Sequence, residues 1–406
     1  MIVAADHVAS PLGKYYLYYA PHDAPGGINL AYASSIGGPY TDYPGNPVLR
    51  RDHQGRFEVS HVSSPHVVWM SQYGKYFMYF HGENTTTRWA YSSDGVNWQV
   101  ASDNVALRAS QWGADYTETS YAKVFEYAIP GIGDRYTMLM MTLRQGGNRR
   151  IGLATSQDGK HFTARDPALV TAVAGEGTQL SGPFYWPHDG HHYVVYHGDA
   201  GKIFHVDVGA GFDREDHLGV FYDPAAHFPE LGKSADAFLL FANGRWHMFY
   251  TVGLRLAQTI AYAVELLGSD VVIDNGDPGF SASPSWQTST SSKGFHGTNY
   301  LHDGSAAANP GMWAKWKPTL PQSGFYRVLV RWPAEGNRPD AIRYKVYHQG
   351  VVTDVLRNQR VQNGSWVELG RFRFDAGTSE ANRVNLDAGS DAGFAVADAA
   401  WFIFDE

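Results

Sequence analysis

The stretch HVSSPHVVWMSQYGKYFMYFHGE, residues 61–83, decides the fold of this chain. Residues 63–70 are β-branched in the middle, and residues 75–80 are mostly aromatic, so both segments favour β-strands. Between them, Ser-Gln-Tyr-Gly at 71–74 is typical of a tight turn. The stretch therefore predicts an antiparallel β-hairpin.

Such a hairpin brings particular side chains together, because the start of its first strand and the end of its second share one edge. His61 and His66 reach that edge on the first strand, and His81 and Glu83 return to it on the second. We therefore expect these four side chains to be neighbours, although they are distant in sequence.

The same hairpin recurs four more times along the chain. A glycine opens each second strand, and these glycines lie 54 to 61 residues apart: Gly13, Gly74, Gly133, Gly190 and Gly244. Third strands follow in several units, and Ser-x-Asp-Gly turns around Asp94 and Asp158 lead to an outer fourth strand. Five four-stranded units at this spacing predict a five-bladed β-propeller over residues 1–267. The alternative is an ordinary β-sandwich with coincidental hairpins.

The composition excludes several classes of protein. The 406 residues include no cysteine, which excludes disulfides, thiolate chemistry and cysteine-based zinc sites. A formal net charge of −8 argues against nucleic acid as a partner. No apolar run approaches the ~18 residues of a membrane span, and the opening MIVAADHV shows no signal peptide. We therefore expect no nucleic-acid and no membrane partner.

The composition and the repeat pattern of the sequence change after residue 267. Residues 268–298 are rich in Ser, Gly, Asp and Pro, and the hairpin repeat does not return. Four short alternating segments follow, at 325–332, 341–349, 366–374 and 394–404. Strands separated by turn residues, without helical periodicity, predict a β-sandwich over residues 268–406. The predicted fold class is all-β, a five-bladed β-propeller followed by a C-terminal β-sandwich.

The second region resembles a known accessory module. The runs VVIDNGDPGFSASPSWQTS at 271–289, GFHGTNYLHDG at 294–304 and VADAAWF at 396–402 are similar to the golvesin C-terminal-like domain. That domain is also appended to xanthan lyases and other polysaccharide-degrading enzymes. The resemblance implies an accessory domain, with carbohydrate binding or a structural capping role as the two alternatives.

The propeller resembles the five-bladed superfamily of glycoside hydrolase families 43 and 117. Ser-Pro-His-Val at 64–67 matches an Ala-Pro-x-Val motif of the second blade, and the Ala-x-Ser-x-Asp-Gly turns match as well. The resemblance implies three carboxylates, of which the base would fall at or beside Asp6. Tyr121 occupies the position of the pKa-tuning carboxylate, and Ser181 occupies that of the acid. The resemblance therefore implies cleavage of glycosidic bonds by a rearranged acid/base set, in an extracellular or periplasmic enzyme.

The blades should share a polar funnel that collects residues from first-strand starts and second-strand ends. We expect the catalytic residues to be His61, His66, His81, Glu118, Tyr121 and Asp6. We expect the substrate-binding residues to be Lys123, Arg144, Arg149, His197, Asp199 and Asp236. The same set of strand ends includes His7, His22 and Asp23. A carboxylate beside an imidazole can move its pKa across neutrality, so the histidines are expected to exchange protons.

Three functional classes fit these residues. A glycoside hydrolase needs a proton donor for the leaving oxygen and a carboxylate across the sugar, and a funnel histidine would be the donor. A polysaccharide lyase acting on a uronate needs a cation, a base and an acid, which Lys123, Tyr121 and the histidines supply. A sugar-binding propeller without catalysis is the third class. We expect no cofactor, although His and Asp residues of the funnel leave a divalent cation as an alternative.

Overall fold

The computed structural model describes residues 1–21, 26–226, 232–254, 257–304, 310–388 and 392–405. It divides into two compact units, Met1–Val264 and Glu265–Glu406, against an expected boundary after residue 267. Helix in the described residues is confined to short 3₁₀ turns, at His53–Gly55, Ala109–Gln111 and Pro224–Ala226. In these same ranges no helix has the length and apolar character needed to cross a membrane.

The first unit consists of five consecutive antiparallel sheets whose strands lie side by side in chain order. Sheet one contains β1 (Ile2–Ala4), β2 (Tyr15–Tyr19), β3 (Asn29–Ala33) and β4 (Thr41–Asp42). Sheet two contains β5 (Ser63–Met70), β6 (Lys75–His81), β7 (Thr86–Ser92) and β8 (Val105–Arg108). Sheet three contains β9 (Tyr116–Glu126), β10 (Tyr136–Arg144), β11 (Arg150–Ser156) and β12 (Thr163–Val170). Sheet four contains β13 (Leu180–His188), β14 (His191–Gly198), β15 (Ile203–Asp207) and β16 (Asp216–Tyr222). Sheet five, within the described residues, contains β17 (Ser234–Ala242), β18 (Arg245–Val252) and β19 (Thr259–Val264).

The first strands of the five sheets form a closed ring. β1 contacts β5, β5 contacts β9, β9 contacts β13, β13 contacts β17, and β17 contacts β1. A hydrophobic cluster fills each junction between neighbouring sheets. At the junction that closes the ring, Tyr15 and Leu17 of sheet one pack against Phe238 and Phe249 of sheet five. The predicted five-bladed β-propeller is confirmed, and each sheet is one blade.

The two Ser-x-Asp-Gly turns join neighbouring blades. Asp94 Oδ1 accepts hydrogen bonds from two backbone N–H groups of its own turn, at 2.8 and 2.9 Å. The carbonyl oxygen of Gly95 in that turn accepts a hydrogen bond from the Tyr18 hydroxyl of blade one at 2.7 Å. The carbonyl of Gly159 accepts one from the Tyr79 hydroxyl of blade two in the same way. The turn sequence therefore fixes both the hairpin and the contact to the preceding blade.

The second unit is a β-sandwich, as predicted. One large sheet has the order β20 (Val271–Ile273), β33 (Ala399–Phe404), β26 (Gly324–Arg331), β29 (Val367–Phe374). The other has the order β21 (Phe280–Ala282), β24 (Trp313–Trp316), β31 (Arg383–Asp387), β27 (Ile342–His348), β28 (Val351–Arg357). Smaller sheets join β22 (Gln287–Ser289), β23 (Tyr300–His302) and β32 (Val396–Ala397), and β25 (Thr319–Leu320) with β30 (Gly377–Thr378). Trp316, Trp332, Tyr344 and Phe402 are buried together in its core.

Candidate active site

Four of the five inner strands carry the same β-bulge, which lies near the start of β5, β13 and β17 and halfway along β9. In β5, β9, β13 and β17, two residues oppose one residue of the partner strand. The first bulged residue has a left-handed backbone in each case: Ser64 (φ 53°), Tyr121 (φ 57°), Gly182 (φ 55°) and Asp236 (φ 51°). Such a conformation costs about 1–3 kcal/mol in a non-glycine residue and is found most often at functional sites. The four bulges mark one end of the ring as the candidate active site.

Tyr121 sits at the bulge of blade three, with its ring centroid 5.4 Å from that of His81 in blade two. The negative charge of Asp236 and burial raise the pKa of the Tyr121 phenol to about 12, and the nearby Ser64 hydroxyl opposes this rise. Side chains from the bulges of blades two, three and five therefore influence one another directly. The phenol keeps its proton at neutral pH and can donate it.

Asp236 and His197 meet between blades five and four. The backbone N–H of Asp236 donates a hydrogen bond to His197 Nδ1 at 3.1 Å. Because that nitrogen accepts, the neutral ring carries its proton on Nε2. Burial lowers the pKa of His197, against the opposing charge of Asp236. Asp236 Oδ1 lies 3.8 Å from His197 Nδ1, but the two do not form a charged pair because the His197 ring is neutral. The Asp236 carboxylate therefore remains available to a ligand.

Gly182 provides the space in which Asp236 and His197 meet. A Cβ atom at Gly182 would lie 2.6 Å from Asp236 Oδ1 and 2.8 Å from His197 Nδ1. Both distances are shorter than a real carbon atom tolerates, and the left-handed backbone adds a second reason for glycine. At its bulge, blade four thus provides space for the side chains of other residues, whereas blades three and five provide a functional side chain.

Lys123 follows the bulge of blade three. Burial lowers the pKa of its ammonium group to about 8, although Asp236 opposes the change. Its charge in turn contributes to the lowered pKa values of His66 in blade two and His197 in blade four, after the larger effect of burial. Lys123 therefore interacts electrostatically with residues of blades two, four and five, and it remains mostly a cation at neutral pH.

His66 and His81 are both buried and do not behave as the sequence led us to expect. His66 Nε2 donates a hydrogen bond to the carbonyl oxygen of Val124 at 2.7 Å. Burial, with a smaller effect of Lys123, lowers the pKa of His66 to about 3. Burial and the neighbouring His61 likewise lower the pKa of His81 to about 3. The expected proton exchange by these two rings near neutrality is therefore wrong, because no carboxylate compensates their desolvation.

Glu118 and Arg149 form an ion pair at the ends of their strands. Arg149 Nε lies 3.2 Å from Glu118 Oε2, and its terminal nitrogen lies 3.3 Å from Oε1. Asn84 donates a further hydrogen bond to the same carboxylate at 3.2 Å. Glu118 is buried, whereas the Arg149 side chain is 42% exposed. Each charge is therefore already compensated before any ligand binds.

Three further expected residues lie at the rim. Arg144 is 68% exposed and pairs with Asp115. Asp199 accepts hydrogen bonds from the backbone N–H groups of Thr178 and Gln179, which fix a loop. His61 is exposed, with its ring 5.9 Å from that of His81. The expected hairpin edge is present, but these side chains are more distant from the bulges or engaged elsewhere.

Asp6 does not lie at this end of the ring, contrary to the expected base position. It follows β1, and the ring of its neighbour His7 stacks on Trp69 at 4.0 Å. Trp69 lies beside the turn of its hairpin, at the opposite end of β5 from Ser64. Because β1 is only three residues long, the sequence does not show which of its ends lies at the bulge end of the ring. His22 and Asp23 lie outside the described residues.

Sequence analysis did not identify that the four bulged residues occupy equivalent positions in their strands. In each strand the bulged residue precedes Pro or Ala, as in Ser64-Pro65 and Gly182-Pro183. Aligning the first strands on that small or cyclic residue would have found it. In the part of the chain that the structure describes, no three His, Asp or Glu side chains are arranged to hold a metal ion.

Comparison with known proteins identifies the second region of the chain. Residues 271–403 match the family described as the Golvesin C-terminal domain, which confirms the expected module. A xanthan lyase from Bacillus sp. (strain GL1) is 36% identical over 135 residues. That match covers 33% of this chain and 14% of the lyase, so the chain spans only a small part of this curated relative.

Solved structures of glycoside hydrolases are similar to this chain at low sequence identity. An exo-β-1,3-galactanase from Phanerochaete chrysosporium is 12% identical, with 96% of this chain and 93% of that chain covered and a TM-score of 0.47. A thermostable family-43 glycoside hydrolase is 14% identical, with 79% and 96% covered and a TM-score of 0.42.

Proposed function

We propose that this chain cleaves glycosidic bonds in a polysaccharide or oligosaccharide, as a glycoside hydrolase with a non-standard acid/base set. The observation that carries the proposal is the convergence of a carboxylate, a phenol and a cation at the bulges of the inner strands. Asp236 raises the pKa of Tyr121 more than any other group does, which supports a shared site for the two residues. Two proton-transferring groups on one opening meet the minimum requirement for glycoside hydrolysis.

Asp236 and Tyr121 have complementary roles in this proposal. The Asp236 carboxylate acts as the base that activates water at the sugar, since its partner His197 is neutral and leaves it free. The Tyr121 phenol, protonated at neutral pH, donates its proton to the leaving glycosidic oxygen. Glu118, held by Arg149, maintains the shape and charge of the adjoining wall.

β-Elimination from a uronate is the second candidate. The same two groups would then act differently, with Asp236 removing the C5 proton and Tyr121 protonating the departing oxygen. The similarity of the second unit to part of a xanthan lyase favours this candidate. In both cases residues 1–267 are catalytic and residues 268–406 are accessory, and polymeric substrates favour an extracellular or periplasmic location.

A panel of neutral and uronate-containing polysaccharides tests the proposal. The wild-type protein and the Asp236→Asn variant would be incubated with each polymer, and both new reducing ends and ultraviolet-absorbing unsaturated uronate would be measured. Reducing ends without unsaturated product identify a hydrolase, and unsaturated product identifies a lyase. Absence of cleavage by the folded wild-type protein, or equal cleavage by both proteins, contradicts the proposal.

A further inference from the structure

A groove opens at the junction of blades one and two, beside the Ser-x-Asp-Gly turn around Asp94. It has a volume of about 330 Å³, and its lining includes Tyr43 of blade one with Trp98 and Gln99 of blade two. A smaller hollow of about 130 Å³ adjoins it, and Asn97 and Gln99 line both. Together the two hollows form one surface depression, the outer groove, which has no role in the proposed reaction.

The outer groove lies at the opposite end of blade two from the candidate active site. Ser64 marks the bulge end of that blade, whereas Lys75 begins β6 directly after the hairpin turn and pairs with Met70. Lys75 lines the smaller hollow, and the next residue, Tyr76, pairs with Ser92 where β7 ends. A ligand in the outer groove would therefore occupy a site separate from that of a substrate at the bulges.

The charged side chains that line the outer groove, and its histidine, already have partners. Asp94 accepts hydrogen bonds from its own turn with both carboxylate oxygens. Lys75 donates a hydrogen bond to the hydroxyl of Ser93. His53 Nε2 donates to the carbonyl oxygen of Trp98 at 3.0 Å, since Nδ1 accepts from a backbone N–H group. Within the described residues, the outer groove thus offers a ligand no unpaired charge.

Uncharged hydrogen-bonding groups of the outer groove remain uncommitted. Gln99 is exposed, and its side-chain amide has no hydrogen-bond partner in the part of the chain that the structure describes. Its backbone is fixed by two hydrogen bonds to Tyr91, at 2.8 and 2.9 Å. Asn97 donates its amide nitrogen to Asp94 at 2.7 Å, which leaves its side-chain oxygen as an acceptor. The Tyr43 hydroxyl likewise has no partner among the described residues.

The ring of Tyr43 is held in place before any ligand binds. One part of it packs against the hydrophobic cluster between blades one and two. Its edge lies against the backbone at Gly45, where a Cβ atom would lie 2.5 Å from Cε1 and 3.0 Å from the hydroxyl oxygen. A residue larger than glycine would therefore displace the ring. The outer groove combines a positioned aromatic wall with uncharged polar groups on a fixed backbone.

We propose that the outer groove binds a neutral saccharide chain, at a second site separate from the candidate active site. A pyranose ring presents an apolar face of C–H groups and a rim of hydroxyl groups, which matches an aromatic wall beside uncharged donors and acceptors. Small-molecule sites have volumes of about 300–1,000 Å³, and the larger hollow falls in that range. The inference goes beyond the proposed function, because it does not depend on cleavage at the bulges.

Hydrogen–deuterium exchange with added saccharides tests the inference at the site itself. The probes are hexasaccharides of glucose, xylose, mannose and galactose, with a galacturonate hexasaccharide as the acidic comparison. At least one neutral probe should slow exchange at residues 91–100, in the wild type and equally in Asp236→Asn. Gln99→Ala should raise the saccharide concentration for half-maximal protection at least tenfold. Thr163→Ala is the matched control, since exposed Thr163 follows Asp158 by the same five residues and lies outside the groove.

Gly45→Ala gives a second test, because it displaces the Tyr43 ring and should weaken protection as strongly as Gln99→Ala. Melting temperature is measured beside it, and if that variant is unfolded, the exposed Gln99→Ala decides. Protection of residues 91–100 without any cleavage contradicts the proposed function and supports the inference, whereas cleavage without protection does the reverse. No protection by any neutral probe, tighter binding of the galacturonate hexasaccharide, or unchanged protection in Gln99→Ala overturns the inference.

Discussion

Ser64, Tyr121 and Asp236 hold a backbone conformation that non-glycine residues rarely adopt. The three occupy equivalent bulges of different blades, and each precedes a small or cyclic residue. A β-bulge changes the direction of the side chain at which it occurs. Strain repeated at equivalent positions is therefore a property of the site, and its removal should affect chemistry more than stability.

Substitution of Tyr121 or Asp236 should abolish most of the activity. Tyr121→Phe removes the proton donor and Asp236→Asn removes the base, so each should lower kcat by about 100-fold or more. Both replacements keep the size of the side chain, and Tm should change little. Turnover of the most active polymer from the panel, measured beside thermal melting, gives the result. Near-normal turnover in both folded variants would place the chemistry elsewhere.

Gly182→Ala should damage the site without altering any charged group. The new Cβ would collide with Asp236 Oδ1 and His197 Nδ1, so the carboxylate must move, and a displacement of about 1 Å can cost about 100-fold in kcat. Gly190→Ala is the matched control in the same hairpin, because its φ of 78° imposes similar strain but nothing lies within 4 Å. Equal losses of activity in the two variants would show that backbone strain alone is responsible.

The buried histidines should make the protein sensitive to acid. Below pH 6.5 the unfolded chain binds protons at His66 and His81 that the folded protein refuses down to about pH 3. The free energy of unfolding should therefore fall as pH falls through this window, by about 1.4 kcal/mol per pH unit for each histidine. Urea unfolding of His66→Gln should show a shallower dependence on pH, and His7→Gln, at an exposed ring away from both buried histidines, should match the wild type. Identical slopes in all three proteins would contradict the assignment.

Residue types at the site were predictable from the sequence, but their charge states were not. His197 and Asp236 lie near the ends of β14 and β17, whereas Tyr121 and Lys123 lie in the middle of β9. His66 was expected to exchange protons because a free imidazole titrates near neutrality, and only burial reverses that expectation. Asp6 was misplaced because β1 is three residues long and the sequence does not show which end faces the opening.

At the scale of elements, the hairpins were predictable because aromatic and β-branched residues alternate with glycine-marked turns. The pairing of Ser63 with His81 and of Met70 with Lys75 follows the pattern read from residues 61–83. The bulges were not predictable from any one hairpin, because an extra residue in one strand leaves no mark on hydrophobic patterning. Comparison of several strands in register is needed to reveal it.

The turn at Asp158 should contribute measurably to stability. Its carboxylate accepts hydrogen bonds from the backbone N–H groups of Lys160 and His161 at 2.8 and 2.9 Å. Asp158→Ala leaves these donors without their partner, and it should lower the free energy of unfolding by about 1–3 kcal/mol. Asp216→Ala, at a site that is 64% exposed, is the control and should change it by less than about 0.5 kcal/mol. Chemical denaturation measures both, and equal values would remove the turn as the cause.

At the scale of the whole molecule, the two compact units suggest a division of labour. A protein ending at Leu267, three residues after β19, should keep its turnover of a short oligosaccharide within about tenfold, or about 1.4 kcal/mol of barrier. It should bind the polymer more weakly if the sandwich holds glycan. Loss of all activity in a folded truncation would contradict this division. Circular dichroism distinguishes that outcome from unfolding.

The equivalent bulges also bear on how such proteins diversify. Four of the five blades deliver one residue to the opening through the same backbone geometry, and these residues are serine, tyrosine, glycine and aspartate. The conformation costs about 1–3 kcal/mol in a non-glycine residue, and three chemically different side chains occupy it here. A lineage can therefore exchange one functional group for another at a single codon while the ring, its packing and its neighbours persist. Each bulge position of the propeller can therefore accept a different functional group, and a single substitution there can give rise to new chemistry.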